Sequence, residues 1–243
     1  MKAEKNRKYY CDFKSASLAR GIGPVANSVS ASIGLEMGPV LFGSVRGTQR
    51  NVTGQIASKF SLESFFHAAF ESKQIDSEII VQNGLKEANQ RVYEYSAKML
   101  SASRVTNTGL FSVFDGKNIT AARTGDEDGF LWREGELTPL FRREGELARA
   151  QRLERFIGAN KQLLADISTL EVRQGDVVWL TNFPVPNLRM IADLPFEELT
   201  AEGIVLELVS RFRKIIQANK DEAPMCGVFV FENPPILLMN EQL

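Results

Sequence analysis

From Gly109 the chain reads GLFSVFDGKNITAARTGDEDGFLWREGELTPLFRRE, and the spacing of its turn signals constrains the fold more than any other feature. Apolar and polar residues alternate with period two, and DGKN, GDED and REGE break the alternation at short intervals. This pattern predicts strands over Gly109 to Phe114, Ile119 to Arg123, Gly129 to Trp132 and Leu137 to Phe141. Such short connections cannot carry the crossover that a parallel pair needs, so the strands form an antiparallel meander.

An antiparallel sheet must bury at least one face, and the flanking segments supply its cover. Val81, Leu85, Ala88, Val92, Tyr95 and Met99 recur at alternating steps of four and three, which predicts a one-sided helix from Asp76 to Leu100. Lys86, Glu87, Gln90, Glu94 and Lys98 form its solvated face. A preceding helix is expected from Asn51 to Ser72, on Ile56, Phe60 and Phe66 or Phe70, with the lone histidine, His67, near the core. Another is expected over Ala201 to Ala218. SVSASIGLEM and GPVLFGSV read as two strands with a turn at Glu36 to Pro39. A short helix fits Leu147 to Phe156, and strands fit Ser168 to Val172, Val177 to Leu180, Gly227 to Phe231 and Ile236 to Met239. The economical packing is an α+β fold, a four-layer α/β/β/α sandwich of two antiparallel sheets flanked by helices. Residues 1–25, with their GIGP turn signal, read as a loosely structured N-terminal lead-in, and residues 26–243 as a single domain without repeats or linkers.

With 243 residues, 44% of them hydrophobic, and a net charge of -1, the chain has the composition of an ordinary globular protein and no footprint for nucleic acid. No apolar run is long enough to serve as a signal-peptide core or to insert in a membrane, so a cytoplasmic location is expected. One histidine and two distant cysteines, Cys11 and Cys226, rule out a histidine-based triad and a cysteine-rich zinc site.

The segment LFGSVRGTQRNVTGQIAS, Leu41 to Ser58, resembles LFAVADGMGGHAAGEVAS of the metal-dependent serine/threonine protein phosphatases, the PPM or type 2C family. LKEANQRVYEY is similar to that family's helix with an internal Ala-Asn, here Ala88 and Asn89, and NTGLFSVFDGKNI resembles its GTT-led strand, with Thr108 kept. TGDEDGFLWREGELTPL looks like the GDSRAYL hairpin, with Gly125 and Asp126 kept and Glu127 and Asp128 where Ser and Arg are usual. FIGAN, RQGDVVWLTNFPVP and MCGVFVFE follow in the family's order, so the resemblance spans roughly residues 20–232. It implies an α/β/β/α fold with its site at one end of the central sheets, and two Mg or Mn ions that activate a water against a phosphoryl group.

Two adjacent divalent cations need carboxylate oxygens. On the resemblance, Arg46 stands where the bridging Asp is usual, Phe183 and Pro224 replace two further Asp residues, and of the N-terminal RxxNED motif only Asn27 survives, with Pro24, Ser28 and Val29 replacing its charged residues. A guanidinium repels metal ions, so Arg46 either takes the metal's electrostatic place or is a surface-turn residue without a role. The leading expectation is a degenerate, catalytically inactive pseudophosphatase without a metal cofactor. It would bind a protein kinase, a phosphoprotein or another signalling protein, with Arg46, Gly47 and Arg50 as the candidate anion- or partner-binding residues. The apolar run Phe183, Val185, Leu188 and Met190 is either a partner surface or core. Asp126, Glu127 and Asp128 form either a residual acidic site or a solvated turn, and Asp176 reads as a turn-forming residue. The alternatives are an active metal-dependent phosphatase whose metal site is rearranged around Asp126, Asp128, Asp115 and Asp166, and an unrelated sandwich hydrolase with an N-terminal nucleophile.

Overall fold

Two five-stranded antiparallel sheets form the centre of the computed structural model, which describes residues 9–17, 28–34, 39–73, 76–99, 104–141, 154–185, 187–191, 193–218 and 225–232. The strands are β1 (Tyr10–Ser17), β2 (Ser28–Gly34), β3 (Val40–Gly47), β4 (Asn107–Phe114), β5 (Asn118–Arg123), β6 (Asp128–Arg133), β7 (Glu136–Pro139), β8 (Asp166–Glu171), β9 (Val177–Thr181) and β10 (Met225–Glu232). One sheet has the order β1-β10-β9-β6-β7 and the other β2-β3-β4-β5-β8. The meander is therefore split. Its β4–β5 hairpin belongs to one sheet and its β6–β7 hairpin to the other, and the chain changes sheets at the acidic turn between Arg123 and Asp128.

Among the described residues, three α-helices cover the sheets: α1 (Val52–Glu71), α2 (Ser77–Lys98) and α3 (Ala201–Ala218). Each of the first two starts where a side chain takes up free backbone N–H groups. Asn51 accepts from Gly54 N at 2.9 Å, and Asp76 accepts from Glu78 N at 2.8 Å. Leu41, Val45, Phe111 and Ala122 face α1 and α2, meeting Phe65, Val81, Leu85 and Val92. Val40, Phe42, Leu110, Phe114, Val178, Leu180, Phe229 and Phe231 fill the space between the sheets. Phe130, Trp179 and Val228 face α3 through Ile204, Leu208 and Phe212. Each fully buried Leu or Phe in these layers contributes about 1.5–3 kcal/mol. The four-layer α/β/β/α arrangement follows from these three apolar interfaces.

Part of the expected lead-in is ordered structure. Residues 10–17 pair with β10 along their whole length, from Tyr10 opposite Glu232 to Ser17 opposite Met225. Only Cys11 and Phe13 of this edge strand turn toward the inter-sheet core, too few for a clear period-two signal. Asp12 accepts from the Ala201 N–H at 3.1 Å and so joins β1 to the start of α3. Of the expected helix over Leu147 to Phe156, residues 142–153 lie outside the described residues and Glu154 to Phe156 are turn and bend. The Ile236 to Met239 strand also lies outside them.

Gly84 lets the helix pair approach closely, since a Cβ there would stand 2.5 Å from Cδ2 of the fully buried Phe65. Gly84→Ala should lower stability: overpacking of about 1–3 kcal/mol outweighs the ~1 kcal/mol that alanine adds to helix propensity. Thermal denaturation of the variant beside the wild type checks the sign.

Candidate functional site

Alternation along β3 decides where each of its side chains points. Leu41 and Val45 lie on α1 and α2, whereas Val40 and Phe42 lie between the sheets. Ser44 and Arg46 continue the second series. Ser44 Oγ accepts from Asn182 Nδ2 at 3.0 Å, a hydrogen bond that joins the two sheets near their ends. Arg46, one alternation further, is half-buried at the inter-sheet end, opposite Ser28 of β2 on one side and Thr108 of β4 on the other. Directly opposed residues place their Cβ atoms about 4.5–5.5 Å apart on the same face, so Thr108 flanks Arg46.

The acidic turn closes this end, and it is not a solvated turn throughout. Asp126 is exposed, but Glu127 is 1% and Asp128 7% exposed. Sequence proximity alone cannot distinguish these three residues; the switch of sheets turns two of them inward. Asp128 accepts from Val185 N at 2.8 Å and stands 3.6 Å from Arg123 Nη1. Arg123 also donates to Asp166 at 2.9 Å and to the Glu127 carbonyl at 2.9 Å, and Arg155 donates to Asp166 at 2.7 Å. Burial alone would raise the Asp166 carboxyl, but the bonds from Arg155 and Arg123 hold it below its ordinary value. Asp128 and Asp166 are thus engaged by arginines. Asp115 lies at the opposite end of β4, where it accepts from Lys117 N, Asn118 N and Ser77 N.

Glu127 is different. Thr108 Oγ1 and Glu127 Oε2 are buried with no hydrogen-bond partner among the described residues. Burial pushes the Glu127 carboxyl above its ordinary value of 4.5, and the adjacent Asp126 charge adds to the rise. The nearby Thr108 hydroxyl, the local backbone and the Arg46 charge pull the other way without reversing it.

The remaining expected residues have structural places. A Cβ on Gly47 would stand 2.7 Å from the Gly54 carbonyl oxygen, so the glycine admits the start of α1 against the end of β3. Arg50 lies on the exposed bend between β3 and α1. Phe183 turns into the core under α3, edge-on to Phe212 at 5.5 Å, and Val185 is buried with it, so these two are core and not a partner surface. Asp176 accepts from Arg173 N at 2.7 Å and also holds Arg133 at 2.6 and 2.8 Å. His67 lies on α1 as expected but is exposed, in a groove against α2, because its ring falls on the side away from the sheet. Pro24, Asn27 and Pro224 lie outside the described residues. Asn89, legible in the sequence as part of a motif, ties α2 to the FIGAN loop by accepting from Gly158 N at 2.8 Å and donating to the carbonyls of Asn160 and Lys161.

Arg46 and Phe183 offer no carboxylate to a metal ion, and among the described residues no three His, Cys, Asp or Glu side chains are grouped to hold one.

The fold is that of the PPM, or type 2C, serine/threonine phosphatases. The serine/threonine phosphatase PstP of Mycobacterium tuberculosis is 15% identical, with 92% of this chain matching 99% of that one at a TM-score of 0.67. PppA of Pseudomonas aeruginosa, a regulatory component of its T6SS, is 16% identical over 92% of this chain and 99% of its own, at 0.69. PstP has also been solved in complex with two manganese ions. No family model and no curated protein matches the sequence. Among the described residues, no helix is long and apolar enough to cross a membrane.

The raised Glu127 proton affinity has a sign that can be checked. Between 4.5 and the higher value of the folded state, the folded protein binds more protons than the unfolded chain, so this group lowers stability as pH rises through that window. Glu127→Gln should raise the melting temperature at about pH 8, with the gain shrinking toward about pH 4, as followed by circular dichroism.

Proposed function

We propose that the chain is a catalytically inactive phosphatase-like protein that acts in the cytoplasm by binding a phosphoprotein, a protein kinase or another signalling protein. Arg46 receives a phosphate or carboxylate of the partner without hydrolysing it, and Gly47 and Arg50 shape the adjoining bend. The observation that carries this reading is the direction of Arg46, which follows Ser44 into the space between the sheets, flanked by Thr108. An arginine that served only as a surface turn would gain nothing from that direction. Its planar fork suits two-pronged contact with an oxyanion, and its charge disfavours the metal pair that a phosphatase of this fold would need. The engagement of Asp128 and Asp166 by Arg123 and Arg155 supports the same reading, since neither carboxylate is left to a metal.

Calorimetric titration with Mn, Mg and inorganic phosphate, with a phosphopeptide turnover assay on the same sample, tests it. Phosphate binding that weakens at least roughly tenfold in Arg46→Ala, with neither metal binding nor turnover, is the expected result. Mn-dependent turnover that is lost on changing Asp126 or Asp128 would instead establish a rearranged metal site.

A further inference from the structure

We propose that the groove between α1 and α2 is a docking site for a cationic segment of a partner protein, one that presents arginines about 10 Å apart. The groove lies on the side of the two helices away from the sheet, so it is separate from the inter-sheet end that holds Arg46 and does not depend on the reading given to that residue.

Its walls are two helical stripes. Ser64, Ala68 and Glu71 follow one another at steps of four and three along α1, and Asn83, Glu87, Gln90 and Glu94 at steps of four, three and four along α2, so each series lies on one side of its helix. The cleft between them has a volume of about 590 Å3, in the range of clefts that hold a ligand. Ser64 is buried and Ala68 half-buried, and these small residues leave depth for a long side chain. The other five residues of the two stripes are exposed.

Helix geometry sorts the charges. The solvated side of α2 carries Lys86 and Lys98 as well as Glu87 and Glu94, yet only the acids line the groove; on the other wall Glu71 lines it and Lys59 and Lys73 do not. Arg91 is the one described lining residue with a fixed positive charge, and it is already engaged: it pairs with Glu63 at 3.6 Å and lies over the Phe60 ring at 4.5 Å. Glu94 accepts from Gln90 at 3.0 Å, a neutral partner that leaves its charge uncompensated. Glu71 and Glu87 have no ion pair among the described residues. An anionic segment would meet three carboxylates of its own sign, and an apolar helix would find Ala68 as the only aliphatic side chain among the described lining residues. A cationic segment is complementary to both walls. Glu87 and Glu94 stand two helical turns apart, about 10 Å along α2, a span that arginines at i and i+3 of an extended segment or at i and i+7 of a helix also cover. Arginine suits these acids better than lysine, because its fork takes a carboxylate by two parallel hydrogen bonds and sheds its hydration more readily.

Fluorescence anisotropy of labelled hexa-arginine, titrated with the whole chain at about 50 mM salt, tests this. The wild type should bind the peptide, more weakly as salt rises, and should not bind labelled hexa-glutamate. Replacing the three lining acids together, Glu71→Gln, Glu87→Gln and Glu94→Gln, should weaken binding at least roughly tenfold. A control variant, Glu197→Gln, Glu198→Gln and Glu202→Gln, removes the same charge at exposed positions outside the groove and should change binding less than about twofold. All six glutamates are exposed, so both variants should melt close to the wild-type temperature. No binding by the wild type, binding that survives loss of the lining acids, or equal weakening in the two variants overturns the proposal. So does a dimer, followed by sedimentation velocity, that the groove variant dissociates, because a second copy of the chain is then the occupant.

Discussion

Everything at the candidate site depends on the β3–β4 pair being buried on both faces. Strands in that position have no solvent side, so their register decides, residue by residue, what meets α1 and α2 and what meets the other sheet. A slip of one residue would send Val45 between the sheets and Arg46 into the helix-facing core, where a guanidinium would lie unpaired. The helices give the register a large apolar reason to hold. Gly43 allows Leu62 and Phe66 to close on β3, and Gly47 does the same for Gly54 at the start of α1. The Ser44–Asn182 bond then joins the sheets one alternation before Arg46.

The electrostatics of this end differ in kind from those of a carboxylate-lined site. Three arginines, at positions 46, 123 and 155, lie near four acids, Asp126, Glu127, Asp128 and Asp166, and two of these, Asp128 and Asp166, are paired with Arg123 and Arg155. Arg123 also lies over the Phe141 ring at 4.9 Å, which fixes its plane and keeps Asp128 and Asp166 on it. Buried carboxylates need a charge partner, and the Arg123 cluster supplies it to Asp128 and Asp166. Glu127 is left outside that balance, buried with its Oε2 unpartnered among the described residues.

The helices and most strands were legible because they carry periodic apolar patterns over many residues. The cap residues Asn51 and Asp76 stand where the sequence places the helix starts. Edge strand β1 was not legible, since two inward apolar residues are too weak a signal. Of the site, Arg46 could be singled out by its position in a motif. The depth of Glu127 could not, because three consecutive acids look alike until the chain crosses from one sheet to the other and buries the second and third. Phe183 and Val185 were ambiguous for the opposite reason: an apolar loop reads the same whether it is covered by α3 or offered to a partner.

The amino-acid sequence by itself determined most element types and the antiparallel pairing, because periodicity and turn length are local properties. Tertiary structure alone decided which side chains share the inter-sheet end. Arg46 and Thr108 are more than sixty residues apart, and only the strand pairing makes them neighbours. Glu127 acquires its raised proton affinity chiefly from burial, which a linear chain does not contain, and the Arg46 charge brought in from another strand opposes that rise.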